Sequence, residues 1–242
     1  MQIEGSIALV TGANRGLGKA YAEALLNAGA AKVYAAARNP AAITDPRLTP
    51  VKLDVTSPAD VAAAALACAD VTLLVNNAGI LLQSPILAAG AGDAMRREMD
   101  VNVFGLLAMM TAFAPVLAKN GGGALVNMLS VVSWFTSPFN ATYGASKHAA
   151  LSITDAARIQ LRAQGTRVIG VYAGFIDTDM TAGIDAAKVS PAQVAEQTLE
   201  GIRHDREHVL ADKRARDVWD SLRRDPAAIE AQMQQLWDQR SS

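Results

Sequence analysis

The chain is poor in residues that would staple or metallate it. Cys68 is the one cysteine in 242 residues, and there are only three histidines. An internal disulfide is therefore excluded, and such scattered ligands make no zinc set. An excess of charge is missing too: 22 basic residues face 23 acidic ones, for a net charge of −1. That balance gives no electrostatic reason to expect nucleic acid or an anionic membrane surface as partner. Aromatic residues make up 5% of the chain although 51% is hydrophobic, so the apolar content is mostly Ala, Val and Leu. So much apolar content with so little net charge argues against intrinsic disorder. Glu4 stands where a secretory signal would carry a base, and no apolar stretch follows it before the first turn. No run reaches about 18 uninterrupted apolar residues. The longest, Val101 to Ala118, is broken by Asn102, Gly105, Thr111 and Pro115 and reads as a buried helix. The expected address is the cytoplasm, and no metal is expected.

What is present is alternation. Short β-branched runs fall at Ile7–Thr11, Lys32–Ala37, Val51–Asp54, Val71–Asn76, Ala124–Leu129, Arg167–Tyr172 and Glu207–Leu210, with Ala/Leu-rich helical stretches between them. Several runs are apolar throughout, as strands buried on both faces should be. Ser57-Pro58, Ser190-Pro191 with Gln193, and Asp225-Pro226 mark helix starts, each a cap followed by proline at the first helical position. Repeated strand–helix units imply parallel strands joined by right-handed crossovers. No linker or internal repeat interrupts them, so one domain spanning 1–242 is expected. From about Ala211 the pattern gives way to a helical tail whose Lys213, Arg214, Arg216, Arg223 and Arg224 are interleaved with acids, and it reads as a solvated face. Ile229, Met233, Leu236 and Trp237 fall at helical spacing and should dock on the domain or on a second subunit.

The first strand runs into Thr11-Gly12-Ala13-Asn14-Arg15-Gly16-Leu17-Gly18. Glycines at a strand-to-helix junction let the backbone turn sharply and approach a ligand, and the open N–H groups of the next helix suit a pyrophosphate. The expected architecture is α/β: a doubly wound Rossmann-type domain with a seven-stranded parallel sheet and helices on both faces. In dinucleotide folds an acid about 20 residues beyond the glycine loop holds the ribose of NAD. Here that place is Ala37, followed by Arg38, with Arg15 inside the loop as a second base. Two guanidiniums and no carboxylate favour the extra phosphate of NADP(H) over NAD(H).

Tyr143 and Lys147, four apart, share a helix face. An ammonium at roughly 4 Å would favour the phenolate by up to about 4 kcal/mol and bring the tyrosine near operating pH. Ser130 and the Asn76-Asn77-Ala78-Gly79 group end two other strand runs, at the sheet edge where open α/β folds bind ligands.

At this point the chain resembles the short-chain dehydrogenase/reductase family, in its single-domain branch. The resemblance covers nearly the whole chain: Thr-Gly-x-x-x-Gly-x-Gly at 11–18, Asp54 in Leu-Asp-Val, Asn-Asn-Ala-Gly, Asn102, Ser130, the Tyr143/Lys147 pair, and Gly174 to Thr178. It implies that Tyr143 is the general acid or base and that Lys147 holds the nicotinamide ribose and lowers the tyrosine pKa. Ser130 would bond the substrate oxygen, and Asn102 would keep a helix kink and a proton relay. Asp54 and Val55 would meet adenine; Asn76, Ala78 and Gly79 would line the cofactor together with Gly12, Asn14, Gly16, Leu17 and Gly18. Gly174, Ile176 and Thr178 would meet the nicotinamide end. The implied activity is reversible hydride transfer between NADP(H) and a ketone or secondary alcohol. Alternatives left open are a non-catalytic NADP(H)-binding sensor and an isomerase or epimerase. Two departures stand out: Ala173-Gly174 replaces the family's Pro-Gly, and the segment from Met180 to Ser190 is short.

Leu81, Val132, Trp134, Phe135, Phe175 and Met180 are the candidate substrate lining, and their apolarity suits a hydrophobic carbonyl compound. Relatives pair their long helices, here near Gly92–Lys119 and Tyr143–Ala163, so a homodimer or homotetramer is expected.

Overall fold

Buried apolar strands dictate the architecture. The computed structural model describes residues 1–240. The elements run β1 (Ile7–Thr11), α1 (Gly16–Asn27), β2 (Lys32–Ala37), β3 (Thr49–Lys52), α2 (Pro58–Ala67), β4 (Leu73–Asn76), α3 (Ala91–Met99), α4 (Leu106–Lys119), β5 (Ala124–Met128), α5 (Ala141–Leu161), β6 (Arg167–Tyr172), α6 (Pro191–Arg203), β7 (His208–Leu210), α7 (Lys213–Arg224) and α8 (Pro226–Arg240). One seven-stranded sheet has the order β3-β2-β1-β4-β5-β6-β7, and every pairing in it is parallel. Leu9, Val10, Leu73, Leu74 and Val75 are at most 1% exposed, and burying each such side chain contributes about 1.5–3 kcal/mol.

The expected strands are found with small shifts. β3 begins two residues early, at Thr49-Pro50, which an edge strand tolerates because proline's missing N–H costs no ladder bond there. β4 begins at Leu73, since Thr72 is occupied with Ile7 through both backbone and hydroxyl. The predicted caps also form: Ser57 accepts from Asp60 N–H, Ser190 from Gln193 N–H, and Asp225 from Ala227 N–H.

Two helical layers cover the sheet. On one face α1 packs beside α6, joined by the buried Tyr21 hydroxyl 2.9 Å from Thr198 Oγ1. On the other, Met109, Met110, Phe113 and Leu117 of α4 sit in a core with α2 and the strands. The run Ala91–Lys119 is long and apolar enough to cross a membrane by length and composition. Its inner face is core, as the sequence implied. Between α3 and α4 lies one π-helical segment, Asp100–Gly105. A third cluster at the carboxyl end of the sheet joins Leu129, Val132 and Tyr172 to Ala215 and Ile229 of the tail.

Candidate active site

The chain leaves β1 toward β2 and leaves β4 toward β5, so the crossovers diverge between two neighbouring strands and open a crevice at their carboxyl ends. Thr11 ties the rims together. Its hydroxyl accepts from Asn77 N–H and Ala78 N–H, and its carbonyl accepts from Asn77 Nδ2, all at 2.9 Å. A cleft of about 670 Å³ runs from here to Met233 of α8.

The glycine loop forms one end of the cleft. Gly12 and Gly16 take φ of +67° and +54°, which a side chain would strain. At Gly18 a Cβ would lie 2.2 Å from the Gly12 carbonyl oxygen, so the loop can fold onto α1 only without one. Arg15, the cap of α1, makes no side-chain bond to the first turn. Bare backbone, open donors and the positive helix end together fit the pyrophosphate of a dinucleotide. Asn14, Leu17, Asp54, Val55, Ala78 and Gly79 line the same space, as do Gly174, Ile176 and Thr178 at the far rim.

Ala37 lines the cleft where an NAD-type fold would carry its acid, and Arg38 stands exposed beside it. Arg38 lies close enough to Asp54 to help hold that carboxyl below its ordinary range, behind the hydrogen bonds from Thr56, which have the larger effect. Arg15 already has a partner: its Nη1 is 2.9 Å from Asp179 Oδ2, with side chains 71% and 76% exposed. An ion pair so wet is worth about 0–1 kcal/mol and leaves the guanidinium available to a phosphate.

At the reactive end, β5 delivers Ser130 into a turn of 3-10 helix, Val131–Ser133, capped by Ser130 and Ser133 reciprocally. α5 presents Tyr143 and Lys147 on one face, both lining the cleft. The expected charge effect is corrected here. The Lys147 ammonium donates to the Met128 carbonyl at 2.9 Å and sits 5.6 Å from the Tyr143 ring centroid. Burial dominates instead: it pushes the Tyr143 phenol up, against a smaller opposing hydrogen bond from Ser130. It also pushes Lys147, only 6% exposed, down to about 8.

Asn102 does not line the cleft. It sits 2% exposed in the π-helical segment, accepting from Ile80 N–H and donating to Ile80 O, each at 2.9 Å, and to Ser146 Oγ at 3.0 Å. It pins the loop after β4 to α5, so its place fits the expected kink and gives it no contact with substrate. Glu98, which sequence reasoning missed, is fully buried one turn earlier, with Oε1 accepting from Leu82 N–H at 2.8 Å. Asn76 is also corrected: it lies in the sheet, paired in register with Asn127 and donating to its side chain at 2.9 Å. The neighbour Asn77 lines the cleft in its place.

Of the candidate substrate lining, Leu81, Val132, Phe135, Phe175 and Met180 line the cleft. Trp134 does not. Its ring turns into the tail's core, stacked on Tyr172 at 4.0 Å and tilted against Trp219 at 4.9 Å. The tail contributes what the sequence hid: Arg214 of α7, read as a solvated charge, and Met233 of α8 both line the cleft. Asp212 holds α7 in place, accepting from Gly174 N–H at 2.8 Å and from Ala215 N–H at 2.7 Å.

The short chain dehydrogenase family matches residues 6–189. A solved structure of a short chain dehydrogenase from Burkholderia cenocepacia, in complex with NADP, is similar at 42% identity and a TM-score of 0.93, over 96% of this chain and 99% of that one. A short chain dehydrogenase/reductase from Burkholderia phymatum in complex with NAD shares the fold at 24% identity, with a TM-score of 0.82 over 96% of each chain. Sorbitol dehydrogenase of Cereibacter sphaeroides is 33% identical over 77% of this chain and 76% of its own length.

Proposed function

The chain belongs to the short-chain dehydrogenase family, an oxidoreductase with a nicotinamide cofactor and a small-molecule substrate, and from that premise we propose that it is an NADP(H)-preferring reductase of hydrophobic carbonyl compounds. One observation carries the reading: a single cleft has Arg38 and no acid at Ala37 at one end, and Ser130, Tyr143 and Lys147 amid apolar walls at the other. The NADP-bound structure at 42% identity supports the cofactor preference.

The reduced nicotinamide, when bound, supplies hydride to the carbonyl carbon. Everything else is done by the chain. Gly12, Gly16 and Gly18 with the first turn of α1 hold the pyrophosphate, and Arg38, joined by Arg15, takes the extra phosphate. Asp54 and Val55 meet adenine, while Ile176 and Thr178 hold the carboxamide. Ser130 donates to the substrate oxygen, and Tyr143 gives it a proton as negative charge develops there. Burial keeps the phenol protonated near neutral pH, so in the reductive direction it carries the proton that the developing alkoxide takes up. Lys147 binds the nicotinamide ribose and offers its charge to the reacting oxygen.

Phe104 in the π-helical segment is 61% exposed, Leu107 on α4 43% and Ile159 on α5 79%, and such bare apolar side chains support a homo-oligomer paired through the run 91–119 and α5. Cys68, buried with its thiol pushed up to about 11, suits the reducing cytoplasm.

The test follows NADPH and NADH absorbance with a panel of ketones, for wild type and Tyr143→Phe. Steady consumption with NADPH favoured, lost in the variant while NADPH still binds, is the expected result. No consumption across a broad panel would point to a cofactor-binding sensor, and near-wild-type turnover by the variant would remove Tyr143 from its role.

A further inference from the structure

Arg214 is the one cation on the substrate side of the cleft, apart from Lys147, that the fold has placed without giving it work. Three other cations of α7 are engaged. Lys213 pairs with Asp217 at 2.7 Å, Arg224 with Asp220 at 3.9 Å, and Arg216 donates to the Leu210 carbonyl at 3.3 Å. Among the described residues Arg214 makes no ion pair and no side-chain hydrogen bond; its guanidinium lies over the Phe175 ring, 4.8 Å from the centroid. The stem is packed hard against the turn after β6, since a Cβ on Gly174 would fall 2.6 Å from Arg214 Cδ. Asp212, 6% exposed, fixes that arrangement by bonding Gly174 and Ala215 together.

The surroundings select a ligand. Phe175 lies beneath Arg214, and Met180 and Met233 add apolar lining to the same cleft. Neither of the two carboxylates that line the cleft pairs with Arg214: Asp179 faces Arg15, and Asp54 is held by Thr56. A guanidinium held over an aromatic ring, with no other partner among the described residues, has its N–H fork to offer, and that fork matches a carboxylate with two parallel bonds.

We propose that Arg214 anchors an anionic group of the substrate, and that the natural substrates are keto acids with an apolar body, reduced to the corresponding hydroxy acids. The carboxylate would rest on Arg214, the apolar body on the Phe175–Met233 wall, and the ketone oxygen between Ser130 and Tyr143. This specificity assignment rests on the reductase reading above.

The experiment compares benzoylformate and benzoylpropionate with their methyl esters, using wild type, Arg214→Gln and Arg214→Lys with NADPH. Wild type should prefer at least one acid to its ester by about tenfold or more in kcat/KM. Arg214→Gln should erase that preference, roughly ten- to hundredfold as for a lost charged hydrogen bond, with the loss in KM for the acid rather than in NADPH affinity. Arg214→Lys, keeping charge without the fork, should restore part of it. Calorimetric titration of each acid into the protein–NADP⁺ complex gives a readout without turnover, and binding should weaken by a similar factor in Arg214→Gln.

Ester preference in wild type, or equal loss for acid and ester, would overturn the anchor. So would a loss of NADPH affinity, which would hand the guanidinium to a cofactor phosphate. If no ketone of any kind is reduced, the reductase reading fails, and the calorimetry still decides whether Arg214 holds a carboxylate.

Discussion

Replacing Lys147 by methionine should make the protein more stable and nearly inactive. The ammonium is 6% exposed, and no carboxylate accompanies it; its bond is to the Met128 carbonyl at 2.9 Å. Burial lowers its pKa from 10.5 to about 8, which at 1.36 kcal/mol per tenfold is a penalty of about 3 kcal/mol at pH 7. Methionine removes that penalty but leaves the Met128 carbonyl without its donor, at a cost of about 1–2 kcal/mol. The net gain of about 1–2 kcal/mol should raise Tm by roughly 2–8 °C for a domain of this size. Between pH 8 and 10.5 the unfolded wild-type chain binds more protons here than the folded one, so wild-type stability rises with pH across that window. The advantage of the variant therefore shrinks through the window, vanishes at about pH 9–10 where the penalty has fallen to the cost of the orphaned carbonyl, and then reverses. Urea unfolding of both ligand-free proteins at pH 7 and pH 10 measures this directly, and NADPH oxidation should fall by about 10²–10⁴-fold in the variant. A variant no more stable than wild type at pH 7, or an advantage independent of pH, would refute the reasoning.

Gly18→Ala should lower stability by about 1–3 kcal/mol or more and weaken NADPH binding, because the new methyl meets the Gly12 carbonyl at 2.2 Å. In Gly144→Ala, where the nearest atom is 3.9 Å away, fluorescence titration and urea unfolding should show binding kept and a gain of about 0.5–1 kcal/mol. Light scattering after size-exclusion chromatography should show a dimer or tetramer for wild type and a smaller species for Phe104→Asp/Ile159→Asp. A 25.3 kDa monomer for wild type would contradict the proposed pairing.

Much of this was legible in the residues because it is local. β1, β2 and β6 have the limits that apolar β-branched runs indicated, and the Ser-Pro and Asp-Pro caps begin their helices. The glycine loop was readable for the same reason: backbone needs and side-chain absence coincide at Gly12, Gly16 and Gly18. What escaped depends on distant partners. Asn76 and Asn77 are adjacent and alike, yet strand alternation sends one to Asn127 and the other to Thr11. Trp134 stands four residues after Ser130 but is claimed by Trp219 of the tail. Glu98 and Asp212 gave no pattern, since each is defined by a single N–H from another element, Leu82 or Gly174. The charge effect expected on Tyr143 failed because spacing places two residues on a face without saying where a lysine's flexible stem will point.

The boundary of the family likeness acquires a meaning from Asp212. The matched region closes at residue 189, before the carboxylate that fastens Gly174 to α7 and before Arg214 and Met233. The matched portion holds the glycine loop, Ser130, Tyr143, Lys147 and most of the apolar lining, and the chain beyond it adds Arg214 and Met233 to the same cleft. Because one carboxylate bonds both the turn and the tail, any ligand that favours the ordered turn also favours the docked tail, by reciprocity. The two C-terminal helices thus form a wall of the cleft whose docking a bound ligand would tighten.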